Sequence, residues 1–214
     1  MKKKNLNLNK ARTVKNDEFY TLYEDIEREI FYYKDEFEGK IIYCNCDDPN
    51  RSAFWRFFHL NFERLNLKGL VATYYIEGMQ TFLYRYSGGN DTDISSYDQF
   101  SLKEDGDFRS NECQELLNKC DIVVSNPPFS LFSDYIQLLL KYEKKFLIIG
   151  NKNAATFKDI FPYVKKRGDY IWVSQCKRIF TTRWNNKGIW KYWMVYKFAK
   201  GKMHQKTESY ASLL

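Results

Sequence analysis

The stretch Asp121–Ser130, with the sequence DIVVSNPPFS, joins a short apolar run to a rigid polar turn. Residues 122–124 are typical of a buried strand, because short continuous apolar runs favour the strands of parallel sheets. Asn126 and two prolines then end the strand, since proline fixes φ and has no N–H to donate. The stretch therefore predicts a central strand whose carboxyl end carries an amide, two prolines and the ring of Phe129.

The rest of the chain alternates between strand-like and helix-like patterns. Strands are expected at 40–46, 69–75 and 145–150, and helices at 16–38, 52–65, 112–119, 131–142 and 154–166. Residues 79–104 depart from this alternation and predict an inserted hairpin. Segments 170–175 and 190–198 predict a C-terminal antiparallel hairpin. The alternation predicts an α/β fold, a doubly wound and mostly parallel seven-stranded sheet. We expect one domain over 16–200, a flexible basic arm at 1–15 and a tail at 201–214.

Composition narrows the class of protein. Hydrophobic residues make up 44% and aromatic residues 18%, enough for the core of one domain. No apolar run is long enough for a membrane span, and the N-terminus does not resemble a secretory signal. Five cysteines without a CxxC pair and two histidines favour neither a disulfide framework nor a metal site. A reduced, cytoplasmic protein is expected.

Positive charge is concentrated in the last third of the chain. Residues 1–150 contain 20 basic and 24 acidic side chains, a net charge of −4, whereas residues 151–214 contain 14 basic and 3 acidic, a net charge of +11. A segregated positive region attracts polyphosphate, because neutralised phosphates release counterions. Solubility is the alternative explanation. The segregation favours nucleic acid, and the candidate phosphate contacts are Arg178, Arg183 and Lys187.

Acidic, amide and aromatic residues follow the ends of several predicted strands. Ligands of doubly wound sheets bind beyond these carboxyl ends. Neither GxGxxG nor GxxxxGK[ST] occurs, so the acids suit a cofactor with ribose hydroxyls, an amino group and a positive centre. The candidates are Asp47, Asp48, Glu77, Asp107, Phe108 and Asn126.

The Asn-Pro-Pro-Phe tetrapeptide predicts a particular chemistry. The Asn126 side-chain carbonyl and the main-chain carbonyl after it are two acceptors, which Pro127 and Pro128 hold rigidly. Such a pair can accept both hydrogens of an exocyclic amine and so increase the nucleophilicity of its nitrogen. Phe129 can stack on the ring that carries the amine once the base has left its duplex.

Asn-Pro-Pro-Phe after a buried strand resembles the catalytic motif of amino-methyltransferases that use S-adenosylmethionine. Over about residues 15 to 160, five segments in order are similar to the EcoRI-type adenine-specific DNA methyltransferases. They are NDEFYTLYEDIE (16–27), YCNCDDPNRSAF (43–54), GDF (106–108), SNPPFSLF (125–132) and KKFLIIGNKNA (144–154). The resemblance implies a Rossmann-like methyltransferase catalytic domain over 16–200.

The resemblance also implies roles for single residues. Asn126, Pro127, Pro128 and Phe129 would be catalytic. The implied cofactor contacts are Phe19, Tyr20 and Thr21 at the methionine end, Asp47 or Asp48 in the first motif, Glu77 at the ribose, and Asp107 and Phe108 at the adenine. The first motif lacks the usual glycines, so its two acids remain alternatives.

The expected function is transfer of a methyl group from S-adenosylmethionine to N6 of a flipped adenine in double-stranded DNA. One alternative is methylation of protein glutamine or RNA guanine by the same tetrapeptide. Another is a catalytically degenerate, DNA-binding module of the same fold. A monomer is expected, and a cognate restriction endonuclease is left open. The chain after residue 160 is short for a target-recognition portion, which suggests a truncated or minimal member.

Overall fold

The computed structural model describes residues 23–151, 154, 157–158, 160–161, 169–175 and 193–200. Helices α1 to α4 comprise Tyr23–Phe31, Ala53–Leu60, Asn111–Lys119 and Phe132–Lys141. Strands β1 to β8 comprise Ile41–Asn45, Gly69–Thr73, Phe82–Tyr86, Asp98–Ser101, Ile122–Ser125, Lys145–Asn151, Asp169–Gln175 and Trp193–Lys200. Two short 3₁₀ helices span Lys34–Glu36 and Phe129–Leu131.

The strands form one mixed sheet in the order β4-β3-β2-β1-β5-β6-β8-β7. The four central strands β2, β1, β5 and β6 are parallel. The other pairings are antiparallel, with β3 and β4 beyond β2, and β8 and β7 beyond β6. The fold is therefore α/β and Rossmann-like, but the sheet is mixed and eight-stranded in the described residues, not mostly parallel and seven-stranded.

The difference comes from the segment 79–104. Its two strands pair with each other and continue the main sheet, because β3 also pairs with β2 over Leu70–Thr73. An uncovered strand edge offers unpaired N–H and C=O groups, and the hairpin satisfies those of β2. The first predicted helix is also shorter, since α1 ends at Phe31 and a 3₁₀ turn precedes Gly39.

Helices cover both faces of the sheet. Successive strand residues point to opposite faces, so Ile42 and Val124 pack with α1 and α2, whereas Tyr43 and Val123 pack with α3 and α4. The four aromatic residues at positions 54, 55, 57 and 58 of α2 are buried and form part of the core. None of the described helices has the length and apolar character needed to cross a membrane.

Candidate functional site

The site lies where three neighbouring parallel strands end. Strand β1 pairs with β2 on one side and with β5 on the other. The last residues of the three strands, Asn45, Thr73 and Ser125, therefore lie side by side. The chain after β1 stays close to β2, because Thr73 O accepts the main-chain N–H groups of Cys46 at 2.9 Å and Asp47 at 3.2 Å. The first motif and the tetrapeptide therefore meet at one edge of the sheet.

Asp47 connects these two segments. Its side chain is buried, and its Oδ1 accepts the hydroxyl of Ser52 at 2.7 Å. Its Oδ2 accepts the hydroxyl of Ser125 at 2.6 Å and the main-chain N–H of Asn126 at 3.4 Å. Ser52 in turn caps α2 by accepting the main-chain N–H of Trp55 at 3.2 Å. One carboxylate thus contacts both the start of α2 and the end of β5.

Three hydroxyl groups, those of Ser125, Tyr135 and Thr73, contact Asn45 at the end of β1. The Ser125 hydroxyl also contacts the carbonyl oxygen of Asn45, and the Tyr135 hydroxyl donates to the same oxygen at 3.4 Å. Thr73 Oγ1 donates to Asn45 Oδ1 at 3.3 Å. Burial raises the pKa of Tyr135 well above its usual value, so its phenol is neutral at physiological pH. The hydroxyl groups around Asn45 are therefore polar but uncharged.

The tetrapeptide leads from β5 into α4. Pro127 is buried, while Asn126 and Phe129 are half-buried. Pro128 has an extended backbone, with φ −55° and ψ 131°, and its carbonyl accepts the N–H of Leu131 at 3.1 Å as the 3₁₀ turn begins. The structure thus places the amide and the ring on either side of two rigid residues at the sheet edge.

Asp107 and Phe108 precede α3. Asp107 accepts from the Nε and Nη2 of Arg109 at 2.9 Å and 2.5 Å, and hydrogen bonding to Asp107 raises the pKa of Arg109. Phe108 is only 3% exposed and packs edge-to-face on Tyr135, with ring centroids 5.0 Å apart. The pair therefore lies against the residue that also reaches the end of β1.

The loop that carries Asp107 is fixed at both ends. Gly106 has φ +72°, and a Cβ there would lie 2.6 Å from the carbonyl oxygen of Tyr74, just after β2. At α3, Glu112 Oε2 accepts the main-chain N–H groups of Lys103 and Glu104, both at 2.7 Å. Glu104 Oε2 returns the contact by accepting the N–H of Glu112 at 3.0 Å. The loop is thus held between β2 and α3.

Of the remaining predicted site residues, two are partly or fully exposed and six lie outside the described residues. Asp48 is half-buried, and its Oδ1 accepts the main-chain N–H of Asn50 at 3.0 Å. Glu77 is exposed in the loop after β2. Six predicted residues lie outside the described residues, namely Phe19, Tyr20, Thr21, Arg178, Arg183 and Lys187. In the described part of the chain, no group of three or more His, Cys, Asp or Glu could hold a metal ion.

Sequence reasoning missed four residues of this region, Ser52, Arg109, Glu112 and Ser125. Ser52 carried a usable signal, a serine just before an apolar helix. Ser125 lay inside the stretch that predicts the strand end, but its partner Asp47 is 78 positions away. Arg109 and Glu112 had no local signal beyond their charge.

Comparison with known proteins identifies the family. The family model described as adenine-specific methyltransferase EcoRI matches residues 7–209. The chain belongs to the EcoRI-type adenine-specific methyltransferases. This confirms the resemblance carried by the five segments, all of which lie within the match.

Curated relatives of this EcoRI-type chain are named Type II methyltransferases. M.EcoRI of Escherichia coli is 46% identical over an alignment of 179 residues that covers 78% of this chain and 54% of the relative. M.MgeORF184P of Mycoplasma genitalium is 41% identical over 73% of this chain and 48% of its own length. M.MpnI of Mycoplasma pneumoniae is 39% identical over 77% of this chain and 49% of its own. The chain spans about half the length of these relatives, and no solved structure matches it.

Proposed function

We propose that this chain transfers a methyl group from S-adenosylmethionine to the exocyclic N6 of an adenine flipped out of duplex DNA. The observation that carries the proposal is the position of the Asn126–Phe129 tetrapeptide. It follows the central strand β5 and lies beside the first motif, to which Asp47 connects it. The names of the family and of the relatives support the same activity.

The described residues fit the proposed cofactor. Because Gly106 lacks a Cβ, the loop carrying Asp107 packs against Tyr74, at the start of the loop that carries Glu77. Acids proposed for the adenine and the ribose thus come from adjoining loops, and carboxylates accept from amino and hydroxyl groups. When bound, S-adenosylmethionine supplies an electrophilic methyl group attached to a sulfonium. We propose Asp48, Glu77, Asp107 and Phe108 as its contacts, with residues 19–21 at the methionine end.

Asn126 and the carbonyl of Pro127 would accept the two hydrogens of the adenine amine. Those hydrogen bonds increase the availability of the nitrogen lone pair as the new N–C bond forms and the C–S bond breaks. The surplus proton on nitrogen then leaves to water. Phe129 would stack on the flipped base, which offsets part of the free energy lost on unstacking. The buried neutral hydroxyls of Ser125 and Tyr135 add no charge that would compete for the amine.

Duplex DNA is the proposed partner, and the cytoplasm the proposed location. The excess of basic over acidic residues after position 150, a net charge of +11, favours phosphate binding. We propose Arg178, Arg183 and Lys187 as contacts that supply affinity without sequence information. We propose that the chain acts as a monomer.

The test is methyl transfer by the full chain to unmethylated genomic DNA, followed by mapping of the modified adenines. Wild-type chain should modify adenine at a defined sequence, and Asn126→Ala should abolish the signal. The matched control is Asn118→Ala, which removes an exposed amide from α3 and should leave the rate unchanged. Methylation of protein or RNA in place of DNA would contradict the proposal. Absence of cofactor binding in calorimetry would instead indicate a degenerate module.

A further inference from the structure

We infer that Asp47 and Ser125 act together as positioning residues for Asn126, a role that rests on the proposed function. The inference assigns Asp47 to the catalytic tetrapeptide through contacts inside the chain. It also introduces Ser125, to which the sequence assigns no role of its own. Neither side chain needs to touch substrate or cofactor for this role.

The geometry of the last peptide of β5 carries the inference. Ser125 ends the strand with its side chain fully buried, and its hydroxyl shares its proton between Asp47 Oδ2, at 2.6 Å, and the carbonyl oxygen of Asn45. The main-chain N–H of the next residue, Asn126, points to the same oxygen at 3.4 Å. Two consecutive residues thus direct donors to one carboxylate oxygen. This arrangement restricts the peptide plane from which the Asn126 side chain projects.

Asp47 itself is anchored from the opposite side. Its Oδ1 accepts the hydroxyl of Ser52, which caps α2 by accepting the N–H of Trp55. Because α2 packs in the core, with Trp55 fully buried, the carboxylate is held against a rigid element. A negative group near the first turn of a helix is also favoured by the helix dipole. Rotation of the carboxylate would break hydrogen bonds on both sides.

Burial separates the two acids of the first motif. Asp47 is 6% exposed, whereas the side chain of Asp48 is 24% exposed. The side-chain contacts of Asp48 are with Asn50 and Arg51, two exposed residues just after it. A bound cofactor can therefore reach Asp48 more readily. We assign the cofactor contact of this motif to Asp48 and the positioning role to Asp47.

Positioning has a measurable consequence, because the acceptor pair must meet the amine at hydrogen-bonding distance. A displacement of about 1 Å can lower a rate about 100-fold without changing how the cofactor binds. Loss of the link should therefore affect the chemical step and leave cofactor affinity nearly intact.

The experiment compares Ser125→Ala and Asp47→Asn in the full chain. Single-turnover methylation should fall about 10- to 100-fold in each variant, while the cofactor Kd from calorimetry changes less than about threefold. The double variant should be no slower than the slower single variant, since both changes remove one link. The matched control is Ser95→Ala, which removes another serine hydroxyl bonded to an aspartate, at 2.6 Å from Asp93 on an exposed loop. It should match wild type.

A second readout does not depend on methylation. Hydrogen exchange of the Asn126 amide, followed by NMR, should accelerate about tenfold or more in both variants relative to amides within β5. Loss of adenine methylation by wild type would refute the proposed function but leave this readout intact. The inference is overturned if the Asn126 amide exchanges at the wild-type rate in folded Asp47→Asn. A cofactor Kd that weakens in parallel with the rate would overturn it as well, because Asp47 would then be a cofactor ligand.

Discussion

Arg109 binds the carboxylate of Asp107 with two parallel hydrogen bonds, from Nε at 2.9 Å and from Nη2 at 2.5 Å. The carbon at the centre of its guanidinium also lies 5.3 Å from the ring centroid of Phe108. A planar cation of the chain thus engages the carboxylate and the ring proposed to bind the cofactor's adenine. The proposed adenine contacts are this same carboxylate and this same ring, so we expect Arg109 to compete with adenine for them.

Arg109→Ala should therefore tighten cofactor binding. The pair is partly exposed, with 42% of the Arg109 side chain accessible, and such pairs contribute about 0.2–1 kcal/mol. We expect the cofactor Kd measured by calorimetry to fall about 1.5- to 5-fold. The control is Arg85→Ala, which removes an arginine 3.7 Å from Asp98 and 4.8 Å from the Phe100 centroid at the sheet edge. Weaker binding by Arg109→Ala alone would show that Arg109 supports the cofactor.

Gly106→Ala should destabilise the fold more than Gly78→Ala. Both glycines have nearly the same left-handed backbone, with φ +72° and +69°, which costs an alanine about 1–2 kcal/mol. At Gly106 the new Cβ would also lie 2.6 Å from the carbonyl oxygen of Tyr74. At Gly78 the new Cβ would have no atom within 4 Å. Overpacking adds about 1–3 kcal/mol. Thermal unfolding should show a larger loss for Gly106→Ala, and equal losses would refute the close approach.

Local sequence patterns were sufficient to predict the central strands and two of the helices. The strand predicted at 40–46 is Ile41–Asn45, and the helix predicted at 131–142 is Phe132–Lys141. Each is an apolar segment bounded by glycine, proline or charged residues, so the apolar pattern and the flanking residues indicate the same boundaries. The placement of Asn126 after a central strand follows from the same reasoning.

Long-range contacts could not be predicted in this way. The bond from Ser125 to Asp47 joins residues 78 positions apart, and the pairing of β3 with β2 depends on which sheet edge the folded chain leaves uncovered. The family resemblance implies Phe108 as a contact of the cofactor's adenine, but its packing against Tyr135 and near Arg109 depends on tertiary structure. Such contacts are set by tertiary structure, which a single sequence does not display.

Glu112→Ala should loosen the loop that carries Asp107. The Glu112 carboxylate accepts two main-chain N–H groups at 2.7 Å, and hydrogen bonds to charged groups contribute about 1.5–3 kcal/mol each when intact. We expect a stability loss of about 1–3 kcal/mol, allowing for partial exposure, together with weaker cofactor binding. Urea unfolding and calorimetry measure the two effects. Glu115→Ala, at an exposed position of the same helix, should change stability by less than about 0.5 kcal/mol. Equal effects of the two substitutions would contradict the role of Glu112.

Alkaline pH should destabilise the protein through its buried thiols. Burial raises the pKa of Cys120 to about 12, and it also raises the pKa of Cys44 and Cys113. The unfolded chain releases these protons near pH 8.5, so this contribution is complete below that pH and is lost as pH rises towards 12. Urea unfolding at pH 7, 9 and 10 should show decreasing stability. Cys120→Ala should reduce the slope between pH 9 and 10, and an unchanged slope would contradict this origin.

The same burial predicts which thiol reacts in the folded protein. Because the thiolate is the reactive form, a Cys120 with a pKa of about 12 is ionised to only about one part in ten thousand at pH 8. Among the four cysteines in the described residues, Cys46 is the half-buried one, and it should react with iodoacetamide before the other three, as followed by peptide mass spectrometry. Bound S-adenosylhomocysteine should slow its modification, because the proposed cofactor contact Asp48 is two residues away. Denatured chain, in which all thiols should react alike, is the control. Modification of Cys44 or Cys113 as fast as Cys46 in the folded protein would show that these side chains are accessible and would contradict the packing described above.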